Sequence, residues 1–477
     1  MRFQLRAALT ALGLAAAMPP SFAAAGDDPL ITGPVRSFTA PQGFQVVIAR
    51  AEAPEGTEPR ILAGLYTRHG QTTEAIAGLA HFSEHVFANA RASIRDWSYP
   101  EGSDSLDSNA QARSDYVSAW LTINKPDGTD ASGLALALSY SAKLWGFAIP
   151  EELVETQRQR ILDELERTGA YGQYRAQYAL EHAFYGNRPE IEAESALAAD
   201  LSLHTIEAYQ AIVYRPENVT LVVAGDLDPA AMEDALLAAF AARGPLPRRE
   251  PLQPEGLLRA DAVVEDAGPV IRRFETLEGD WVAAGFAAPA SSDPDFAALL
   301  VLDQYLLGGR GPFETLWQVS RDPLSPLGRA LAGRASVTAL SDARGYGAAI
   351  PPLAERAPAY FTILFGGPEL DPQAAPSLLQ SALADVRSGM SDDAILEARD
   401  QLLDFYRRWL NAANLRPLGD HLAGLSFQDP SAPERLMVLH SELAAVTPAE
   451  VRAAMDRYLL EGAWRYGIVD GQTVPQR

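Results

Sequence analysis

The chain has 477 residues, 47% of them hydrophobic and 21% charged, a globular composition too long for one ordinary core and one that excludes disorder as the default state. Its formal net charge of −23 argues against nucleic acid as a partner, because phosphate binding needs a basic face; the plain meaning is a soluble acidic surface. There is no cysteine, so disulfides, thiolate nucleophiles and thiolate ligands are excluded, and any metal must be held by His, Asp or Glu.

In chain order, residues 1–25 read as a secretory signal peptide. Arg2 and Arg6 precede an apolar run from Ala7 to Met18, followed by Pro19, Pro20 and the small residues Ala23, Ala24 and Ala25, so the mature chain is expected to start near Gly26, in the periplasm or outside the cell. That run is too short to span a bilayer comfortably and no later stretch approaches the length required, so no membrane span is expected. FQVVIARA and RILAGLYTRHG alternate in the manner of strands and lead into a helix over GLAHFSEHVF, residues 78 to 87. YVSAWLTI is a further strand. SGLALALSYSAKLWGFA is apolar nearly all round and is expected to be a buried helix, whereas PEELVETQRQRILDELERTG is amphipathic and exposed on one side.

HTIEAYQAIVYRPENVTLVVAGDLDPAAMEDALLAAFAARG then gives a helix, a loop with Pro216, a strong strand and a helix opened by Asp228 and Pro229. The Pro-, Arg- and Glu-rich stretch GPLPRREPLQPEG reads as a linker, placed at 244–262, between a first unit at 26–243 and a second at 263–477. The second unit echoes the first: DWVAAGFAAPA resembles RILAGLYTRHG, and TPAEVRAAMDRYLLEGAWRYGIVDG resembles TIEAYQAIVYRPENVTLVVAGD. Two related α+β units are the simplest architecture.

On its helix, His81 stands four residues before His85, so both imidazoles share a face and can reach one ion, with Glu84 beside them to touch a water there. His-x-x-Glu-His inverts the commoner zinc-helix order His-Glu-x-x-His. The competing reading is a partly buried histidine pair satisfied by hydrogen bonds. A catalytic zinc takes three protein ligands and keeps a position for water, so a carboxylate must come from elsewhere. RQRILDELER supplies the candidates Glu164 and, as a fallback, Glu166, each of which taken alone reads as a solvated helix charge. The other histidines, His69, His182, His204, His421 and His440, have no partner at ligand spacing and are expected at the surface or at helix caps.

AGLAHFSEHVF, SNAQARSDYVSAW, RILDELER and VYRPENVTLVVAGDLD stand in the order and approximate spacing of the M16 zinc metallopeptidases, the pitrilysin, insulinase and mitochondrial processing peptidase group, which the chain resembles over most of its length. The 78 residues between His85 and Glu164 slightly exceed what is usual there, as a small insertion would explain. The resemblance implies two homologous M16-type (LuxS/metallohydrolase-like) α/β-sandwich domains in tandem, each a mainly antiparallel sheet packed with helices. It further implies Zn2+ on His81, His85 and Glu164, with Glu84 as catalytic base of an endopeptidase acting on short or unfolded peptides. Asn109 and Ala110 match a pair that begins the edge strand to which an extended substrate adds.

The sequence departs from the family pattern in two places. Seven positions before the ligand glutamate, where family members commonly carry a second acidic residue that tunes the site from outside the ligand shell, this chain has Gln157, a change that matters less than loss of a ligand. In LLGGRGPFETLWQVSRDPLSPLGRALAGRAS, Arg321 corresponds to a substrate-holding arginine, but Gly328 and Arg329 stand where its tyrosine is expected, and Tyr346 is too far on to align. An intact metal half beside a degraded substrate-holding half implies a second M16 homologue as partner or, failing that, a homodimer; a non-catalytic subunit is the alternative function.

Overall fold

The computed structural model describes residues 33–52, 56, 58–92, 105–113, 116–124, 131–186, 188–247, 256–259, 268–274, 280–287, 289, 293–307, 325–331, 360–367, 370–409, 415–428 and 436–471. The signal-peptide reading of residues 1–25, Arg321 and Tyr346 lie outside them.

The first half runs β1 (Val35–Thr39), β2 (Gln45–Arg50), β3 (Arg60–Thr67), α1 (Leu79–Asn89), β4 (Arg91–Ala92), β5 (Ser105–Ala112), β6 (Val117–Asn124), α2 (Ala131–Ser141), β7 (Phe147–Ala148), α3 (Glu151–Gly169), α4 (Gly172–Tyr185), α5 (Ile191–Asp200), α6 (Leu203–Val213), β8 (Val219–Gly225) and α7 (Pro229–Arg243). The second runs β9 (Val270–Phe274), β10 (Asp280–Ala287), α8 (Phe296–Leu307), α9 (Pro326–Leu331), β11 (Tyr360–Gly367), α10 (Ala375–Ser388), α11 (Asp392–Trp409), α12 (Leu415–Gln428), α13 (Leu436–Ala445), α14 (Pro448–Ala454) and β12 (Arg465–Gly471).

The first sheet has the order β1-β2-β8-β3-β6-β5, and only β2 and β8 pair in parallel. The second has the order β11-β10-β12-β9, with β12 and β9 parallel and its other pairs antiparallel. Read from β9, the second sheet repeats the central four strands of the first, so β10 takes the place of β3 and β12 that of β8. These are the strands whose sequences echo each other, and the fold is the mainly antiparallel α+β arrangement expected.

Period-two alternation gives the first sheet two apolar faces. Ile61, Ala63 and Leu65 pack with Leu79, Phe82 and Val86 of α1 and with the α3 and α6 layer. Leu62, Tyr66, Trp120 and Val222 turn the other way and pack with Leu418, Leu422 and Leu425 of α12, a helix of the second half. The second sheet receives the reciprocal helix: Ala176, Leu180 and Phe184 of α4 pack on Ala283 and Val469. At that contact a Cβ on Gly467 would lie 2.1 Å from the Leu180 nitrogen and 2.2 Å from the Ala176 oxygen, so only glycine permits this approach of helix to strand. Each sheet is therefore covered on one face by its own half and on the other by a helix from its neighbour.

Three expectations need correction. The helix read across 132–148 ends at Ser141, passes through a tight turn at 142–145 and closes with β7, and α2 buries only Gly133, Leu136, Ala137 and Ser141. Its flanking apolar residues cover neighbouring elements without being enclosed. Asn109 and Ala110 lie inside β5 and do not begin it, because pairing with β6 extends back to Ser105 through an irregularity between Ser105 and Asp107. His69, His421 and His440 are buried, not superficial.

Candidate metal centre

The helix that carries HFSEH begins without a capping side chain of its own. Its N-cap is Gly78 at φ 90°, a left-handed conformation that favours glycine. The orphan N–H groups of the first turn are taken instead by Glu74, whose Oε1 accepts from the Gly78 nitrogen at 2.8 Å and whose Oε2 accepts from the Ala80 nitrogen at 2.5 Å. Burial pushes the Glu74 carboxyl up to about 8, while the N–H groups of Ala80 and Gly78 and the charge of Arg188 pull the other way. At the far end Lys143 donates to the carbonyls of Phe87 at 2.6 Å and Ala88 at 3.3 Å, the orphan acceptors of the last turn. Midway, Gln210 of α6 donates to the Ser83 carbonyl at 3.2 Å.

α3 crosses this helix and presents Glu164 to it. The Glu164 Oε2 lies 3.8 Å from His81 Nε2 and 3.6 Å from His85 Nε2, and one ligand atom from each of the three residues lies within 4.8 Å of the others. Among the described residues this is the one cluster of at least three such donors. The fallback Glu166 is not part of it. The two imidazoles meet edge to face with centroids 4.9 Å apart. His85 turns its Nδ1 to the carbonyl oxygen of Gln157 at 3.2 Å, an oxygen that also accepts from Arg160 at 3.4 Å, so Nδ1 is the protonated nitrogen and Nε2 is free to ligate.

The donor set fits zinc. Two imidazole nitrogens and one carboxylate oxygen are a usual catalytic combination, and bonds of about 2.1 Å in tetrahedral array put ligand atoms about 3.4 Å apart, close to the spacing here. Manganese and cobalt are also compatible with such ligands. The Glu164 side chain is 48% exposed while those of His81 and His85 are 11% and 15% exposed, so solvent reaches the cluster from the Glu164 side. The neighbouring His81, and after it His85, hold the Glu164 carboxyl well below the usual carboxylate range, which keeps it anionic as a ligand must be.

Glu84 stands on the same helix with its Oε2 3.9 Å from His85 Nε2. Burial pushes its carboxyl up to about 7, against the pull of His85 and with the added repulsion of Glu164. A carboxylate tuned to neutrality beside a ligand cluster is suited to accept a proton and to return it.

α3 is itself pinned. Arg158 donates to the carbonyls of Ala198, Ala199 and Leu201 at 2.8 to 2.9 Å, closing the C-terminus of α5, and lies over the Phe82 ring of α1 at 5.4 Å. Asn109 is exposed and Ala110 half-buried on β5, which packs against α1 and pairs on one side with β6. Gly328 and Arg329 fall in α9.

In the second half α8 follows β10 as α1 follows β3, and α11 packs on α8 as α3 packs on α1. α8 reads FAALLVLDQYLL, and its leucines pack with Leu402, Leu403 and Tyr406 of α11 where the first half gathers histidines and a glutamate. Solved structures share this fold over most of the chain. A structure described as the peptidase M16 inactive domain from Pseudomonas fluorescens superimposes with a TM-score of 0.67 at 18% identity, over 93% of this chain and 99% of that one. The fold is that of the M16 peptidases. A protease from Helicobacter pylori matches with a TM-score of 0.66 at 15% identity, over 92% of this chain and 99% of its own. A chain of Complex III2 from Candida albicans matches at 0.62 and 13% identity, over 92% and 96%, so this M16-like fold also occurs inside a larger complex. Residues 200–402 match the family model described as the peptidase M16 inactive domain, a span that begins after His81, Glu84, His85 and Glu164. No curated protein matches the chain. No helix among the described residues is long and apolar enough to cross a membrane.

The sequence reading missed Glu74, Lys143, Arg158 and Gln210. Lys143, Arg158 and Gln210 act through carbonyls that only the fold brings near, whereas Glu74 acts on N–H groups four and six residues on.

Proposed function

We propose that this chain is the metal-carrying subunit of an exported zinc endopeptidase that hydrolyses short or unfolded peptides. The observation that carries the reading is the convergence of His81, His85 and Glu164 with Glu84 beside them. When bound there, zinc would acidify a water and polarise a peptide carbonyl. Glu84 takes the proton of the attacking water on its carboxylate and hands it to the leaving amine nitrogen. Gln157 keeps His85 in the tautomer that leaves Nε2 available. A substrate lying along β5 as an added strand would pass Asn109 and Ala110 beside α1, with selectivity set by extended shape more than by sequence.

A second reading is a non-catalytic subunit, or one that acts only with an M16 homologue or a second copy of itself. The match to an inactive domain and the likeness to a chain of a larger complex favour it. The test is hydrolysis of a mixture of unstructured peptides by the zinc-loaded chain alone, read by mass spectrometry, with Glu84→Gln as control. Cleavage that falls about 10²- to 10⁴-fold in the variant, with zinc retained, supports the enzyme. Equal cleavage by both proteins overturns Glu84 as base, and silence from a folded, zinc-bound wild type favours the second reading.

A further inference from the structure

Glu74 sits where three separate parts of the chain meet. Its side chain closes the first turn of α1, the turn that contains His81. Its backbone forms an isolated antiparallel bridge with Leu258, flanked by hydrogen bonds from the Ala75 nitrogen to the Leu257 oxygen and from the Arg259 nitrogen to the Thr73 oxygen. Residues 256–259 thus run as a strap along the segment that enters the metal helix, although they belong to the stretch expected to be a mere linker. The strap is anchored in turn, because Arg259 donates to the Tyr185 carbonyl at the end of α4 at 2.9 Å.

The surroundings of Glu74 are dry and charged. Arg188 is 5% exposed and lies 3.2 Å from both Glu181 and Glu194, themselves buried, and a Cβ on Gly78 would lie 3.7 Å from the Glu194 Cγ. A buried carboxyl in such company persists where it has a task, and here that task is to fix the start of α1. Without it, two buried N–H groups lose their acceptor and the first turn is free to rotate or fray.

We infer that Glu74 is a positioning residue for the metal centre: held in register by the 256–259 strap, it sets the first turn of α1 so that the His81 Nε2 meets the His85 Nε2 and the Glu164 Oε2. Gly78 makes the dependence necessary, since a glycine N-cap supplies no side-chain oxygen and the capping must come from outside the helix. His85, a turn further on, has its own supports in Gln157 and the Ser83–Gln210 bond, so loss of Glu74 falls mainly on His81.

The inference rests on the metal reading above and is tested by Co2+ titration of the full chain, followed by the visible ligand-field spectrum and by competition with a chelator. Wild type, Glu74→Ala, Glu74→Gln and Thr447→Ala are compared. Thr447 caps α14 far along the chain in a capping box, so its loss weakens a helix without touching α1. Glu74→Ala is expected to bind Co2+ about tenfold or more weakly, as loss of a supporting partner typically does, and with an altered spectrum. Glu74→Gln, which keeps one acceptor oxygen, should fall between, and Thr447→Ala should match wild type in both readouts. Wild-type affinity and spectrum in Glu74→Ala, or in Glu74→Gln if the alanine variant does not fold, overturn the inference. Equal weakening in Thr447→Ala overturns it too, by showing a general effect of stability. Failure of the wild type itself to bind Co2+ overturns the metal reading and the inference with it.

Discussion

Glu84 carries a cost that the fold must bear. Its carboxyl titrates near 7 in the folded chain, raised chiefly by burial from an ordinary 4.5, so between those values the fold holds a proton that the unfolded chain has released. Its contribution to stability is therefore complete below about 4.5 and declines as pH rises through about 7. In the metal-free protein Glu84→Gln removes that titration. The variant should unfold at about the same temperature as wild type near pH 5 and at a higher one near pH 8, where it is more stable by up to roughly 3 kcal/mol. Thermal melts at the two pH values check this, and a gain that is equal at both would show that packing and not ionisation is responsible. The same group is the proposed base, so a stability cost at neutral pH is the counterpart of chemical readiness.

At the scale of elements, α1 and α3 form a working pair because both are clamped by groups outside themselves. α3 was legible as an amphipathic helix, and its buried positions Val154, Gln157, Ile161 and Leu165 recur at helical spacing. What holds it to its neighbour was not legible, since Arg158 reads as one more charge on a charged helix. Its guanidinium satisfies three carbonyls at the end of α5 and covers Phe82, so Arg158→Ala should destabilise the chain by about 2 to 3 kcal/mol. Arg158→Lys should recover less than half, because a single ammonium cannot span three acceptors. Chemical denaturation measures both, and a change below about 0.5 kcal/mol in Arg158→Ala would remove Arg158 from the set of clamps. α4 and α5 show the limit of periodicity in another way: the reading passed over residues 170–203, yet α4 proves to be the helix that lines the second sheet.

For the molecule as a whole, the exchange of α4 and α12 makes the halves interdependent. Cut at the linker, residues 26–243 would lose α12 and expose Val47, Leu62, Tyr66, Trp120 and Val222, worth on the order of 10 kcal/mol of burial, which is comparable to the whole stability of a domain. Residues 263–477 would likewise lose α4 from Ala283 and Val469. Each half expressed alone is expected to be insoluble or to lack a cooperative melt, and co-expression to restore a soluble pair. A cooperative, monomeric melt from either half alone would contradict this. The internal repeat pointed to two units of one plan, and the matched strand orders show that plan. It did not show that each unit is completed by the other.

By itself the sequence determined whatever is decided within a few residues. It specified β2, β3, β6 and β8 as strands, α3 by its apolar stripe, and the pairing of His81 with His85, because a helix brings residues four apart onto one face whatever surrounds it. It also offered Glu164, first as one of two helix carboxylates that could complete the ligand set and then through resemblance. Only the tertiary structure decided that Glu164 stands 3.6 to 3.8 Å from both histidines, that Gln157 orients His85, and that Glu74 and Lys143 close the two ends of α1. Apart from the Glu74 cap, whose partners lie four and six residues on, those contacts depend on how helices cross, and such geometry is set by the packing of residues scores of positions apart, which no local period records.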